Sequence, residues 1–268
     1  MFKRLIKKII GLSTPNQVIN LRKTLIFNYL AFGIKGIIIR PVLIYGDTKI
    51  YKVGKIIIKS PLKKGIMTIG KFNFKSQGVT KFLNDGTIII EGPVHIEGCT
   101  IINNLGQIVF KGYNRIADGS QLFIRSYLEY GQHSRLGFHS MIMDSDDHYL
   151  IDTETHFVNR FSKPIIIGKY NFIGNSTIIK KGVKTPDYLI VASPNALLTK
   201  DYTTLLPKYA VIGGSPAKVL KTGVRRIFND AEEARLKDFF NKNPQLTQVH
   251  IDIEDSQLDN YCMNTQNF

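Results

Sequence analysis

Cysteine is scarce in this sequence. Its 268 residues include two cysteines, Cys99 and Cys262, which lie far apart in the chain. Two distant cysteines exclude a disulfide framework, and their spacing does not match a metal-binding motif. We therefore expect a protein of a reducing compartment, the cytoplasm.

Acidic residues are nearly missing from the first quarter of the chain. Residues 1–64 contain one, Asp47, against 14 lysines and arginines, so they carry +13 of the net charge of +15. A segment of this charge attracts anions, which include lipid headgroups, nucleic acid and phosphorylated small molecules. A merely solubilising surface explains the charge equally well.

The sequence also lacks a long uninterrupted hydrophobic run. Lys7 and Lys8 break the apolar start of the chain, which argues against a signal peptide. The apolar stretch 25–45 contains Lys35, Arg40 and Pro41, whereas a spanning helix needs ~20 mostly uncharged apolar residues. We expect no transmembrane segment. A second possibility is that this segment is a basic amphipathic arm that lies on the cytoplasmic surface of the inner membrane.

Apolar residues recur every six positions along the middle of the chain. Four runs share this spacing: Ile90, Ile96 and Ile102; Phe110, Ile116, Leu122 and Leu128; Tyr130, Leu136 and Ile142; Ile167, Ile173 and Ile179. A β-sandwich would show alternation of two, whereas a hexapeptide repeat is typical of a parallel β-helix. The phase slips between runs, which we interpret as short loops.

The predicted fold class is therefore mainly β, a left-handed parallel β-helix over residues 46–222. Residues 1–45 form a basic, partly helical N-terminal segment. Residues 223–268 form a C-terminal helix and a polar tail. We place that helix at about 229–241, since Asn229 and Glu232 have the spacing of a capping box.

The densest acidic cluster lies directly before a histidine. Asp144, Asp146 and Asp147 precede His148. A calcium loop is disfavoured because His148 and its neighbour occupy ligand positions. A glycosyltransferase motif is disfavoured because the chain lacks βαβ alternation. A zinc site with His133 and His139 would need a neighbouring subunit, because these two histidines fall on successive sides of one coil.

Two interpretations of His148 remain, a solvated surface histidine and a proton-transfer group. The hexads stop at Ile142 and resume at Ile167, so His148 falls at the root of an inserted loop, residues 149–164. A neutral imidazole accepts a proton at physiological pH. Asp144 or Asp146, which share a face of an extended chain, would orient it.

The last coils resemble the hexapeptide-repeat acyltransferases, in particular bacterial sugar and surface-polysaccharide O-acetyltransferases. The resemblance covers about residues 50–222 and is carried by the hexads and four motifs. These motifs are Ile167-Gly168, Phe172-Ile173-Gly174, Leu198-Thr199-Lys200-Asp201 and Gly214-Ser215-Pro216-Ala217-Lys218. The segment 143–148 is similar to the one that carries the catalytic histidine of that family.

The resemblance implies an acetyltransferase that uses acetyl-CoA, without metal or covalent intermediate, on a hydroxyl of a sugar or glycoconjugate. It implies that His148 is the general base, with Asp146 and Asp144 as its supports. The implied contacts of coenzyme A are Gly174, Ser193, Thr199, Lys200 and Lys218. It also implies a homotrimer in which the 149–164 loop reaches over a neighbour's site, and a carbohydrate or lipid-linked saccharide as the acceptor.

The chain departs from the family pattern at the coenzyme A coil. It contains no tryptophan, so Phe172 stands where the family has Trp, and Ala192 replaces a glycine. Two alternatives stay open. One is N-acetylation of an amino sugar, and the other is a non-enzymatic basic β-helix that binds an anionic polymer, although no nucleic-acid-binding motif is present.

Overall fold

The computed structural model describes residues 18–71 and 78–263. Within these two ranges, 21 short strands wind into three sheets, A, B and C, that form the sides of a prism. Sheet A contains β1 (Val42–Ile44), β4 (Met67–Lys71), β7 (Val94–Glu97), β10 (Asn114–Ile116), β13 (Arg135–Leu136), β16 (Phe172–Ile173), β18 (Ile190–Val191), β20 (Val211–Gly213) and β21 (Lys218–Lys221).

Sheet B contains β2 (Lys49–Lys52), β5 (Lys81–Asn84), β8 (Ile101–Asn104), β11 (Gln121–Ile124), β14 (Met141–Met143), β17 (Ile178–Lys180) and β19 (Leu197–Leu198). Sheet C contains β3 (Lys55–Ile58), β6 (Thr87–Ile90), β9 (Gln107–Phe110), β12 (Tyr127–Tyr130) and β15 (Ile165–Ile167). Strands in each sheet pair in parallel, except that β21 turns back antiparallel on β20. The predicted fold class, a left-handed parallel β-helix with helices at both ends, is confirmed.

The core is the column of side chains inside the prism. Every residue of the four runs with six-residue spacing is buried. The phase slips are not loops. Each strand of sheet C is long enough to point two residues inward, as Ile108 and Phe110 do. One coil therefore contains 20 residues. Accordingly, Ile90 pairs with Phe110, and Phe110 pairs with Tyr130.

The N-terminal end of the prism is closed by α1 (Leu21–Ile39). Asn20 caps this helix by accepting a hydrogen bond from the backbone N–H of Lys23. Phe27 is fully buried and its ring contacts Phe82 edge-on at 5.4 Å. Gly33 bends the helix, with a positive φ of 64° that glycine adopts without steric cost. None of the described helices is long and apolar enough to cross a membrane.

The C-terminal helix, α2 (Asp230–Lys242), begins at the predicted N-cap. Asn229 accepts hydrogen bonds from the backbone N–H groups of Ala231 and Glu232, which confirms half of the capping box. The side chain of Glu232 instead pairs with Arg235.

The segment after α2 differs from the polar tail that we predicted. A 3-10 turn (Asp255–Gln257) leads into α3 (Leu258–Cys262), and Cys262 is buried. The backbone N–H of Phe228 donates to the carbonyl of Cys262 at 2.7 Å. Asp259 pairs with Arg225, so this segment is held against the side of the prism.

Candidate functional site

The inserted loop leaves the prism between β14 and β15, where the chain passes from sheet B to sheet C. We call this corner the B–C edge; it includes residues 144–148, 181–182 and 199–200. The insertion is a two-stranded arm. Ser145 bridges to Ser162 and Ile151 to Val158, both antiparallel. At its tip, Asp152 accepts hydrogen bonds from two backbone N–H groups.

Asp144 fixes the root of the arm. It is fully buried, and its two carboxylate oxygens accept hydrogen bonds from the backbone N–H groups of Arg125, Ser126 and Tyr127 at 2.7 to 2.9 Å. Burial raises the pKa of Asp144, and the three N–H donors oppose that rise. Because both oxygens are occupied, the visible role of Asp144 is to attach the arm to the preceding coil.

Asp146 and Asp147 are held by cations on the surface of the root. Asp146 pairs with Lys181 and, at 3.5 Å, with Lys180. Asp147 pairs with Arg125 at 2.8 Å and accepts a hydrogen bond from Ser145. The pKa of Asp146 is lowered chiefly by Lys181 and that of Asp147 chiefly by Arg125. Both carboxylates are therefore charged at neutral pH.

His148 is exposed at the root and has no hydrogen-bond partner in the part of the chain that the structure describes. The structure shows no contact between it and Asp144 or Asp146, the two supports that the family resemblance implies. Its electrostatic neighbour is Asp147, whose pKa is also lowered by the imidazole. The imidazole is thus accessible and lies next to a carboxylate held in place by Arg125.

The five residues implied to contact coenzyme A lie on two edges of the prism. Thr199 and Lys200 lie on the B–C edge, two coils along from the arm. Gly174, Ser193 and Lys218 lie near the opposite margin of sheet B, where sheet A passes into it; we call this the A–B edge. The outer face of sheet B separates the two groups.

That outer face is apolar next to the arm. The apolar outward-pointing side chains of β14, β17 and β19 are Met141, Met143, Ile178 and Leu197, all partly or fully exposed. Lys180 also points outward, and its ammonium group contacts the sulfur of Met143. Strands in a sheet lie about 4.8 Å apart, so this patch extends roughly 10 Å along the prism axis from the arm. It lies between the two groups of residues implied to bind coenzyme A.

The cationic residues on this face differ in their availability. Lys180 and Lys181 are paired with Asp146. Asp201 pairs with Lys184 at 3.0 Å rather than with its neighbour Lys200. Lys200 and Lys218 are exposed and have no acidic partner among residues 18–71 and 78–263. These two side chains are therefore free to meet an anion.

Gly174 is explained by the fold. A Cβ at this position would lie 2.7 Å from the carbonyl oxygen of Val191 and 2.8 Å from the backbone of Ser193 in the next coil. The stacking of coils thus requires glycine here whether or not a ligand approaches.

Sequence reasoning missed an aromatic column on the remaining edge, where sheet C passes into sheet A. Its members all have positive φ: Tyr113, His133, Tyr170, Tyr188 and Tyr209. His133 stacks between Tyr113 and Tyr170 at 4.6 Å on each side. The 20-residue spacing of Tyr113 and His133 equals one coil, and this was the available signal.

His133 and His139 do not form a metal site. They lie on different edges, His133 is buried in the aromatic column, and burial lowers its pKa to about 4. In the described ranges, no group of three or more histidine, cysteine or acidic side chains is arranged to hold a metal ion.

No family model matches the chain. Among solved structures, it is similar to the polysialic-acid-specific acetyltransferase NeuO, at 17% identity and a TM-score of 0.49 over 80% of this chain and 91% of that one. The polysialic acid O-acetyltransferase OatWY gives 16% identity and a TM-score of 0.39 over 72% and 96%. AntD, an N-acyltransferase from Bacillus cereus, gives 17% and 0.41 over 75% and 89% in a complex with dTDP and coenzyme A. Likeness at this level does not define an activity.

The geometry by itself defines a set of chemical capabilities. An accessible imidazole on a firmly attached loop can take a proton from a bound hydroxyl or amine. An apolar face with an unpaired lysine at each margin suits a ligand that combines a long, weakly polar arm with anionic groups.

Proposed function

We propose that this protein is an acyltransferase that moves an acetyl group from acetyl-CoA to a hydroxyl of a sugar or glycoconjugate. The observation that carries the proposal is the position of His148. It is exposed, has no hydrogen-bond partner in the described structure, and lies beside the apolar face of sheet B. The hexads and the Ser215-Pro216-Ala217-Lys218 motif support the same class.

In the proposed reaction, His148 acts as the general base. The imidazole removes the proton from the acceptor hydroxyl, and that oxygen attacks the thioester carbonyl carbon. The tetrahedral oxyanion collapses, the carbon–sulfur bond breaks, and the thiolate of coenzyme A receives the proton from the imidazolium. Asp147 stabilises the imidazolium. Asp144 keeps the arm root in place through the backbone of Arg125 and Ser126, and Asp146 does so through Lys180 and Lys181.

We propose that acetyl-CoA lies across the outer face of sheet B. Its pantetheine arm contacts Ile178 and Leu197, and its phosphates meet Lys200 and Lys218. Thr199 and Ser193 are exposed at the two margins of this face and supply hydrogen bonds. Gly174 lets the neighbouring coil pack closely at the margin of this face.

We further propose a cytoplasmic homotrimer. The arm exposes Leu150, Ile151 and Phe157, with Phe157 73% accessible. An apolar surface of this kind on a projecting arm is suited to packing against another copy of the chain. The arm of one subunit would then cover the site of the next.

The test is an acetyl-transfer assay in which the released thiol of coenzyme A is measured. Neutral sugars, sialic-acid polymers and amino sugars serve as acceptors. The expected result is thiol release with a hydroxyl acceptor and an acetyl product that hydroxylamine cleaves, as it cleaves esters. His148→Ala should reduce the rate by about 10²- to 10⁴-fold. His156→Ala, on the same arm and also exposed, is the control. A hydroxylamine-stable product would indicate an amine acceptor, and full activity of His148→Ala would refute the proposed base.

A further inference from the structure

The outward face of α1 is unusually apolar for a helix at the surface of a protein. Leu30 is 63% exposed, Ile34 73% and Ile38 71%. Ile26 and Leu30 also line a groove of about 490 Å³ between α1 and β2, together with Tyr51 and Lys49. The buried face of the same helix uses Phe27 and Asn28 to close the prism, so these apolar side chains have no part in the core.

The same end of the molecule is strongly basic. Residues 18–64 contain ten lysines and arginines and one acidic residue, Asp47, and among them Arg22, Lys35 and Lys49 are exposed and make no ion pair with any described residue. Lys23 and Lys52, in contrast, are paired with Asp47 and Asp85. Unpaired cations therefore surround the exposed apolar side chains.

We infer that this surface, α1 with the adjacent β2, docks on an anionic lipid bilayer. The lysines meet the headgroups, and Leu30, Ile34 and Ile38 enter the boundary of the acyl chains. The helix contacts the bilayer without crossing it, since Arg22, Lys23 and Lys35 interrupt it and Gly33 bends it. The surface lies at the opposite end of the prism from Lys200 and Lys218, so lipid and acetyl-CoA do not compete.

Charge complementarity selects this occupant. A second copy packed symmetrically on the same surface would bring Lys35 and Lys49 against their own equivalents, and like charges oppose that contact. A nucleic acid would satisfy the cations, but its phosphates offer nothing to Leu30 and Ile34. An anionic bilayer offers both negative charge and an apolar interior.

The experiment uses the absence of tryptophan from the sequence. Ile34→Trp and Leu205→Trp each introduce one fluorophore at an exposed apolar position, Leu205 being 58% exposed in the last coils. Each full-length variant is mixed with vesicles of phosphatidylcholine alone or of phosphatidylcholine and phosphatidylglycerol in equal parts. We expect Ile34→Trp emission to shift to the blue, and to be quenched by brominated acyl chains, only with the anionic vesicles. Leu205→Trp should not respond.

Cosedimentation with the same vesicles separates the charge from the insertion. Lys35→Gln with Lys49→Gln should weaken binding about fivefold per lysine. Leu30→Gln with Ile34→Gln should weaken it at least about tenfold, and glutamine keeps helix propensity. The matched controls are Lys221→Gln with Lys237→Gln and Leu205→Gln with Leu246→Gln, which should bind as the wild type does.

Three results would overturn the inference. The first is wild-type protein that stays unbound to anionic vesicles at low salt. The second is binding that is lost with the lysines but unaffected by Leu30→Gln with Ile34→Gln, which would mean electrostatic attraction alone. The third is a blue shift of Ile34→Trp that follows protein concentration without lipid, which would identify a second copy as the occupant. Acetyl-CoA binding is measured on the same samples. Lipid binding and acetyl-CoA binding can each fail without the other, so a failure of this inference is distinguished from a failure of the proposed activity.

Discussion

Asp144 differs from its neighbours in the acidic cluster in its burial and in its hydrogen-bond partners. Asp146 and Asp147 lie at the surface and pair with lysine or arginine side chains. Asp144 is buried and accepts three backbone hydrogen bonds from the preceding coil. A carboxylate is suited to this position because both of its oxygens accept, and neither donates.

Asp144→Asn should therefore destabilise the protein, since an amide turns one acceptor into a donor that faces backbone N–H groups. We expect a loss of about 2 to 4 kcal/mol, seen as a lower thermal unfolding midpoint. Asp147→Asn, which removes an exposed ion pair, should cost under about 1 kcal/mol. Equal effects of the two variants would contradict the assigned role of Asp144.

At the level of elements, the aromatic column stabilises the stacked coils in addition to the apolar core. Arg225 lies over the rings of Tyr188 and Tyr209 at 4.5 and 5.0 Å, and Phe228 contacts Tyr170 edge-on. These contacts bring the C-terminal segment back along the coils. Tyrosine and histidine occupy the positive-φ corners at some cost in backbone strain, which the stacking offsets.

His133 makes the stability of this column depend on pH. Burial and Arg135 lower its pKa to about 4 in the folded protein, against ~6.5 in the unfolded chain. Between these values the unfolded chain binds a proton that the folded one does not, so the free energy of unfolding falls as the pH decreases from 6.5 to 4. His95, whose pKa is also lowered to about 4, acts in the same direction.

His133→Tyr should reduce this loss by about 1 to 3 kcal/mol, because tyrosine already occupies the equivalent corners of the column. Urea unfolding at pH 7, 5 and 4 measures the effect. His139→Gln is the control, since His139 is exposed on another edge. A pH dependence that is the same in His133→Tyr and the wild type would contradict the account.

The two unpaired lysines give a prediction about the donor substrate. Lys200→Gln and Lys218→Gln should each weaken acetyl-CoA binding about fivefold, the size of one exposed charge pair of ~1 kcal/mol. If one of them meets the 3′-phosphate, its replacement should have no effect on the binding of dephospho-acetyl-CoA. Lys163→Gln, on the arm, is the control. Equal effects of all three lysines would indicate nonspecific attraction.

Some of these elements could be predicted from the sequence, and others could not. The runs with six-residue spacing predicted which side chains point inward. Each side of a coil places at least one residue in the same apolar interior, whichever coils lie next to it. The interruption after Ile142 coincides with the position at which the arm leaves the prism. The 20-residue coil was misread as loops, because the second inward residue of each sheet C strand adds two positions to three hexads.

The role of Asp144 lay beyond sequence reasoning for a physical reason. Its partners are backbone N–H groups of residues 125–127, and only the stacking of one coil on the next brings them within hydrogen-bond distance. The aromatic column was missed for a similar reason, since the arm interrupts its spacing after His133. Both features depend on contacts between adjacent coils, which the sequence of a single hexad does not show.

At the scale of the whole molecule, the arm predicts self-association. Sedimentation equilibrium should give a mass of about 91 kDa, three times the 30.4 kDa of one chain. Ile151→Asp with Val158→Asp places two charges on the exposed apolar surface of the arm and should shift the protein toward the monomer. A wild-type protein that sediments at 30.4 kDa would contradict the trimer.

The central claim is that the edge beside His148 serves a coenzyme A thioester. Calorimetric titration of acetyl-CoA into the wild type and His148→Ala at physiological salt tests it most directly. We expect saturable binding, one site per chain, with equal affinity for both proteins, because His148 acts on the acceptor and not on the donor. Absence of binding to the wild type would contradict the account, and would favour a basic β-helix that binds an anionic polymer.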